Sequence, residues 1–461
     1  MKQEKVFPVK IGLEVHGYLD TKEKLFCMCR TSLDEESNSR ICPICTGTPG
    51  SKPMGVNSEA VRKMIEIALI LGSSISVGDL VWQRKHYNWA DLPKGYQNTI
   101  SGPHASVCAV GGKFKGIKIT EAHLEEDPAQ WNPETGHIDY NRSGLPLIEI
   151  VTEPEFSSSE QVVEWLKDLV LALSYVKAIR KNAGIKVDVN VSTYGERVEM
   201  KNLNSLEKIR KAIDYEVARQ VENYKNGIAQ ERDTLTFDEK LGKTVKMRSK
   251  EGAADYRFIP DPDLPILKID KKLVTEIKKK IPEMPEDKLE KLLRRYKVDK
   301  KNAEILTKNL ELVEFFEALS KQGINVNKNI SWITIELLRV LNYNKKTLED
   351  PDVDIKSEHL AELIRAVDLG KITVLKGKQI MNDFIPKSFS LSEHKGEISN
   401  IDSSAIDNLC KQVINENLRA VEEYKSGKES SLNFLIGQVM RKSERRADFK
   451  TVTEILKRML S

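Results

Sequence analysis

The sequence predicts an α+β protein: a mostly antiparallel β region with a few helices, then an all-α region ending in a small all-α tail. Three observations carry this. Over residues 1–270, short runs alternate apolar and polar residues, the period of strands with one face on a core. From Lys271 the texture changes to Lys-rich segments with apolar residues three and four apart, the period of amphipathic helices. Between the two lies Ile259-Pro260-Asp261-Pro262-Asp263-Leu264-Pro265, too rich in proline for a helix or an inner strand. The expected division is a first domain at 1–270, a helical domain at 271–400 and a helical tail at 401–461.

Length agrees with this division, since 461 residues suggest about three domains. The composition, 40% hydrophobic and 31% charged, is that of a soluble globular protein. No apolar run approaches the ~20 residues of a membrane helix. Met1 to Lys5 is polar, without the apolar core of a secretory signal, so a cytoplasmic location is expected. A net charge of +4 permits nucleic acid binding without demanding it.

In Lys10 to His16 the apolar residues alternate, which puts Glu14 and His16 on one strand face. Next come Cys27-Met-Cys29 and Cys42-Pro-Ile-Cys45, four of the six cysteines in one short window. In a reducing compartment two such pairs read as a structural zinc site, with reduced thiols as the plainer alternative. Cys108 and Cys410 are isolated and expected to be buried and inert. Ser58 to Leu71 reads as a helix capped by Ser58 and stopped by Gly72. Arg84 to Gln97 mixes basic, aromatic and turn residues without a period, which suits either a ligand-binding loop or an ordinary long one.

His123-Leu124-Glu125-Glu126-Asp127 is expected between a strand (Gly116 to Glu121) and the loop to Trp131. Adjacent carboxylates repel, and buried ones need a cation, most simply a hard divalent ion. In Leu147-Ile148-Glu149-Ile150-Val151 a lone carboxylate sits in a very apolar run, which is expensive unless it is paired or metal-bound. Spacing alone also fits a surface acidic turn beside an isolated core glutamate. Arg142, in the turn before that run, can hold a phosphate or pair with a carboxylate.

Further on, Ser157 to Lys181 reads as a helix opened by a Ser157/Glu160 capping box. Val187 to Val191 alternates strictly, with Asp188 and Asn190 opposite the valines. Val198 to Lys201 is its expected hairpin partner, and Ser205 to Lys225 a second helix stopped by Gly227. Two strands flank Gly242, and Met247 to Glu251 and Asp255 to Phe258 follow. Near the C-terminus Arg441 to Arg446 sets a basic patch beside an apolar stripe, which is a solvated helix face or a contact for a nucleic acid backbone.

The chain has no P-loop, no strand-linked dinucleotide fingerprint and no nucleophile elbow. A carboxylate–metal site without a covalent nucleophile suits phosphoryl transfer or attack of a neutral nucleophile on an activated acyl group.

The ordered motifs resemble one family. They are Ile11-Gly12-Leu13-Glu14-Val15-His16, the two cysteine pairs, Asp91-Leu92-Pro93-Lys94-Gly95-Tyr96-Gln97, His123 to Asp127, Asp139-Tyr140-Asn141-Arg142, Leu147 to Val151, Asp188 to Ser192, Lys201 to Ser205 and Met247 to Glu251. In order and across the whole length, they resemble the B subunits of glutamyl/aspartyl-tRNA amidotransferases, the GatB/GatE family. The resemblance implies a cradle-shaped catalytic domain, a helical domain and a tail that contacts tRNA. It implies an ATP-dependent amidation of Glu-tRNA(Gln) or Asp-tRNA(Asn), with a glutaminase A subunit supplying ammonia and a small C subunit completing a heterotrimer.

By position it makes Glu14, His16, Glu125 and Glu149 ligands of magnesium, or of manganese given the imidazole. Glu126, Asp188 and Asn190 become supporting or ammonia-orienting groups, and Lys94, Tyr96 and Arg142 contacts for ATP or the acceptor end. Cys27, Cys29, Cys42 and Cys45 match the family's zinc knuckle. A zinc-stabilised tRNA-binding adaptor with an inactive acidic site is the alternative. No large insertion interrupts the helical region, which favours the GatB type. Pro128-Ala129 stands where the family usually has Ala-Gly.

Overall fold

The computed structural model describes residues 8–32, 36–180, 184–247, 256–394 and 402–460. The chain divides into two compact units, Met1–Met284 and Pro285–Ser461.

The first unit is built on a 13-stranded sheet. Ten strands form its main path: β1 (Lys10–Tyr18), β2 (Gln83–His86), β3 (Tyr96–Thr99), β4 (Ile117–Glu126), β5 (Pro146–Thr152), β6 (Ile185–Ser192), β7 (Val198–Leu203), β8 (Asp233–Asp238), β9 (Lys243–Lys246) and β10 (Arg257–Pro260). Their order is β9-β8-β7-β6-β1-β5-β4-β3-β2-β10. All neighbours along it are antiparallel except β7 and β8. The expected hairpin of β6 and β7 forms, and so do the strands around Gly242.

Alternation divides the sheet into two faces. Ile11, Leu13 and Val15 of β1, Ile148 and Ile150 of β5, and Val187, Val189 and Val191 of β6 are buried in one core. Three helices join that core: α1 (Ser58–Ile70), α2 (Ser159–Tyr175) and α3 (Leu206–Lys225). A fourth, α4 (Lys271–Lys280), packs on α1 and buries Ile277, which carries the first unit past the proline-rich segment. Between the apolar strand residues, Glu14 of β1, Glu149 of β5, and Asp188 and Asn190 of β6 face the other way.

Helix ends differ from expectation by a residue or two. Asn57, not Ser58, caps α1 by accepting from the amides of Glu59 and Ala60. Ser158 caps α2, and Gln161 supplies the reciprocal bond, to the Ser157 amide at 2.9 Å. Helix α2 ends at Tyr175 rather than Lys181, and α3 opens from its Ser205 cap as expected. The Met247 to Glu251 motif falls largely on residues 248–251, outside the described ones, as does Asp255.

The second unit is helical. One core gathers Leu292, Phe316, Trp332, Leu360 and Phe384. A separate core, of Cys410, Val413, Leu435, Val439 and Leu456, joins the helices Ser403–Glu416, Ser430–Lys442 and Phe449–Leu460. Among the described residues no helix is long and apolar enough to cross a membrane. Cys108 and Cys410 are fully buried, as expected of inert thiols.

Candidate active site and metal knuckle

Cys27, Cys29, Cys42 and Cys45 converge: their sulfurs all lie within 4.8 Å of one another. The Cys42–Cys45 separation is 3.9 Å. A zinc tetrahedron with bonds of about 2.3 Å has edges of about 3.8 Å, so the donor set and its spacing fit that ion. A hydrogen bond from the Cys27 thiol and the nearby Lys24 ammonium hold the Cys45 thiol down to about 5, which favours a thiolate. Fully buried Lys24 ties the knuckle to its surroundings by donating to the carbonyls of Arg40 and Tyr140 at 3.0 and 3.1 Å. Ser143 Oγ donates to the Cys45 carbonyl at 2.7 Å. Gly47 has φ +67°, and any Cβ there would overlap the Pro93 carbonyl. The knuckle therefore presses directly on the loop that carries Lys94.

His123 to Glu126 lie within strand β4, with Asp127 just past its end. Alternation then sends Glu125 and Glu126 to opposite faces of the sheet. Glu125 joins the polar face. There the register sets His16 of β1 opposite Glu149 of β5, and Glu149 opposite His123 of β4. Ligand atoms of His16, Glu125 and Glu149 lie within 4.8 Å of one another. His16 Nε2 stands 3.6 Å and His123 Nε2 3.3 Å from Glu149 Oε2.

Charge is strongly coupled on this face. Burial alone would lower both imidazoles, but Glu149 outweighs it, pushing His16 up to about 9 and His123 up to about 10. Despite its burial, Glu149 is held well below the usual carboxylate range by the two histidines. Burial, and then Glu149, raise Glu125. Two carboxylates and an imidazole make an N,O donor set suited to manganese, or to magnesium with water in the remaining positions. A cation would relieve the buried charge, and His16 would have to give up its proton to bind it.

One strand away, Glu14, Asp188 and Glu199 form a second acidic group on the same face. Glu14 thus sits with Asp188 rather than with His16, Glu125 and Glu149. Asn190 Nδ2 donates to Glu14 Oε1 at 3.1 Å. Lys201 Nζ already occupies this group, 3.1 Å from Asp188 and 2.7 Å from Glu199.

Glu126 belongs to a different network. It pairs with Lys94 Nζ and accepts the Asn98 amide at 3.0 Å. Lys94 also donates to Asn98 Oδ1 at 2.9 Å and lies 4.9 Å from the centre of the Tyr96 ring. Asn98 donates onward to Asp261 at 2.6 Å, and Asp261 meets Arg84 at 3.0 Å. Arg142 pairs with Asp127 at 3.0 Å and donates to the carbonyls of Pro128 and Ala129, which fixes the backbone where the Pro128-Ala129 departure occurs. Lys94, Tyr96 and Arg142 are thus each engaged within the protein.

Sequence reasoning named His123 only as part of a motif, and it passed over Glu199, Lys201 and Lys85 on this face. Alternation carried the signal: Glu199 and Lys201 stand opposite buried Val198 and Met200. Lys85 sat in a stretch without a period, where the face of a side chain cannot be read.

Fold and site together define a class: an α+β protein with a four-thiol knuckle and a sheet face that gathers carboxylates and histidines at the spacing of metal ligands. The family profile of the GatB/GatE catalytic domain matches residues 9–275, and that of the GatB domain residues 314–460. The B subunit of the aspartyl/glutamyl-tRNA(Asn/Gln) amidotransferase of Methanocaldococcus jannaschii is 43% identical, with 98% of each chain covered. The proteins of the same name from Methanococcus aeolicus and Methanopyrus kandleri are each 40% identical over 98% of both chains. The chain belongs to the GatB/GatE family.

Proposed function

We propose that this chain is the B subunit of a tRNA-dependent amidotransferase. On a misacylated Glu-tRNA(Gln) or Asp-tRNA(Asn), the side-chain carboxylate takes the γ-phosphoryl group of ATP and ADP leaves. Ammonia adds to the acyl carbon of the resulting acyl phosphate, a proton is lost, and phosphate departs, leaving the amide. A carboxylate resists ammonia because its oxygen is a poor leaving group; phosphorylation removes that obstacle.

The observation that carries the reading is the convergence of His16, Glu125 and Glu149 on one polar sheet face in a chain of this family. These residues would hold magnesium or manganese, which supplies charge neutralisation for the phosphates and the substrate carboxylate. Asp188 and Asn190, beside them, would orient ammonia. Cys27, Cys29, Cys42 and Cys45 would hold a structural zinc. Lys94, Tyr96 and Arg142 would contact ATP or the acceptor end, once released from their internal pairings. We assign catalysis to residues 1–270, a connecting role to the helices of 271–400 and tRNA contact to the tail at 401–461. The complex is a heterotrimer with a glutaminase A subunit and a small C subunit, working in the cytoplasm.

The test is Glu125→Gln, assayed in the assembled complex with ammonium chloride in place of glutamine. Amidation should fall at least about 10³-fold while tRNA affinity stays near the unsubstituted value. Undiminished amidation would refute the assignment.

A further inference from the structure

Among the described residues five cationic side chains on the polar face are withdrawn from solvent, His16, Lys85, His123, Lys186 and Lys201, and three are matched to carboxylates. Lys201 touches Asp188 and Glu199. His123 lies 3.0 Å from Glu121 and 3.3 Å from Glu149. His16 faces Glu149 at 3.6 Å. Lys186 is held by the Tyr18 hydroxyl at 3.2 Å, on the side of Asp127, which leaves Lys85 beside Glu125 and Glu149. Among the described residues no carboxylate oxygen lies within the 4.0 Å of an ion pair from its Nζ. The ammonium instead stands over the Tyr256 ring, 4.8 Å from its centre. Tyr256 in turn meets Tyr87 edge-on at 5.5 Å.

Strand geometry fixes where this ammonium points. Arg84, before it on β2, is drawn to Asp261 and Asp263. Alternation sends Lys85 to the opposite face, that of Glu125. The charge of Lys85 is felt by both Glu125 and Glu149. An aromatic ring holds a cation without using its hydrogen-bond donors. A lysine kept this way still has N–H groups for an incoming anion, and its point charge suits phosphoryl oxygens.

We propose that Lys85 is a catalytic residue that binds the phosphoryl group transferred to the substrate carboxylate, and that it donates to the same oxygens as phosphate leaves. This rests on the amidotransferase reading above. The anion would sit between the ammonium and the carboxylate-bound cation, so each neutralises part of its charge. Tyr256 keeps the ammonium from collapsing onto Glu125 before substrate arrives.

The experiment compares Lys85→Met and Lys85→Arg with the unsubstituted chain, each in the complete complex with misacylated tRNA, ATP and ammonium chloride. Steady-state amidation is measured against ATP concentration, with tRNA affinity and melting temperature alongside. Lys85→Met should lower kcat about 100-fold with tRNA affinity and melting temperature unchanged, and Lys85→Arg should restore most of that loss. If Lys85→Met amidates within about threefold of the unsubstituted complex, the proposal is wrong and the amidotransferase reading stands. A parallel fall of melting temperature and activity in both variants also overturns it, leaving Lys85 a packing residue. Failure of the unsubstituted complex to amidate would sink the amidotransferase reading, and this proposal with it.

Discussion

The thiol knuckle and the polar sheet face bring metal-ligating side chains together by opposite routes. The knuckle draws all four ligands from residues 27–45, on two short turns. The sheet face draws His16, Glu125 and Glu149 from three strands, brought together only when β1, β5 and β4 pair. Ligands close in sequence need little chain ordered to meet, so the loop-closure cost is small. The distant set depends on register, and a slip of one residue in any of the three strands would turn that strand's ligand into the core.

Removing the zinc proposed for the knuckle should have the largest effect. Binding a structural zinc involves about 10 kcal/mol or more in small zinc domains, and most of it is folding energy. Cys45→Ser is expected to lose bound zinc, read by elemental analysis, and to lower the melting temperature. The Pro93 loop rests on Gly47, so protease sensitivity should rise near Lys94 as well as at the knuckle. Zinc-free protein with an unchanged melting temperature would show that the four thiols do not hold the structure together.

On the sheet face the most exposing change is Glu149→Gln. Glu149 is the shared partner of His16 and His123 and one of three ligand positions. Its loss should weaken manganese binding, followed by titration calorimetry, and reduce amidation about 10³-fold, worth about 4 kcal/mol. Stability should fall little, because both histidines can then shed their protons. Manganese affinity equal to that of the unsubstituted chain would mean that the three residues are not a metal site.

This contrast also explains what sequence could and could not reveal. The four cysteines were legible because their spacing is their geometry. Glu14 and His16 were legible as sharing a face, since alternation is local. The grouping was not: only the pairing of β1 with β6 places Glu14 beside Asp188, while β5 claims His16 for Glu149. The run Glu125-Glu126-Asp127 reads as one acidic centre, yet the strand divides it. Glu125 goes to the polar face, Glu126 to Lys94, and Asp127 to Arg142 and Tyr18. In the α+β division, a short strand, Leu267–Ile269, still follows the proline-rich segment, and α4 beyond it packs back because Ile277 finds the first core.

The Lys94–Glu126 pair separates a structural role from a catalytic one. Their side chains are only 14% and 7% exposed, so removing one partner strands a charge. Lys94→Met should cost about 3 kcal/mol of stability. Lys94→Met with Glu126→Gln should cost clearly less than the sum of the single changes, since no bare charge remains. Additive losses in denaturant unfolding would mean that the two groups are not coupled.

The smallest expected effect lies furthest along the same network. Arg84 and Asn98 hold the Asp261 carboxyl below its ordinary range, against the burial that alone would raise it. An acid whose folded value is depressed adds stability above its unfolded value, near 3.9, and loses it as pH falls through the folded value. Asp261→Asn should therefore lower stability by about 1–2 kcal/mol at neutral pH, the worth of charge-assisted hydrogen bonds. The difference from the unsubstituted chain should shrink as pH drops below about 4. Unfolding curves that stay parallel from pH 7 to about 3 would place the acid sensitivity elsewhere. That result would point to the histidine–glutamate face, where His16 and His123 lean on Glu149 and acid would discharge the carboxylate that keeps them charged.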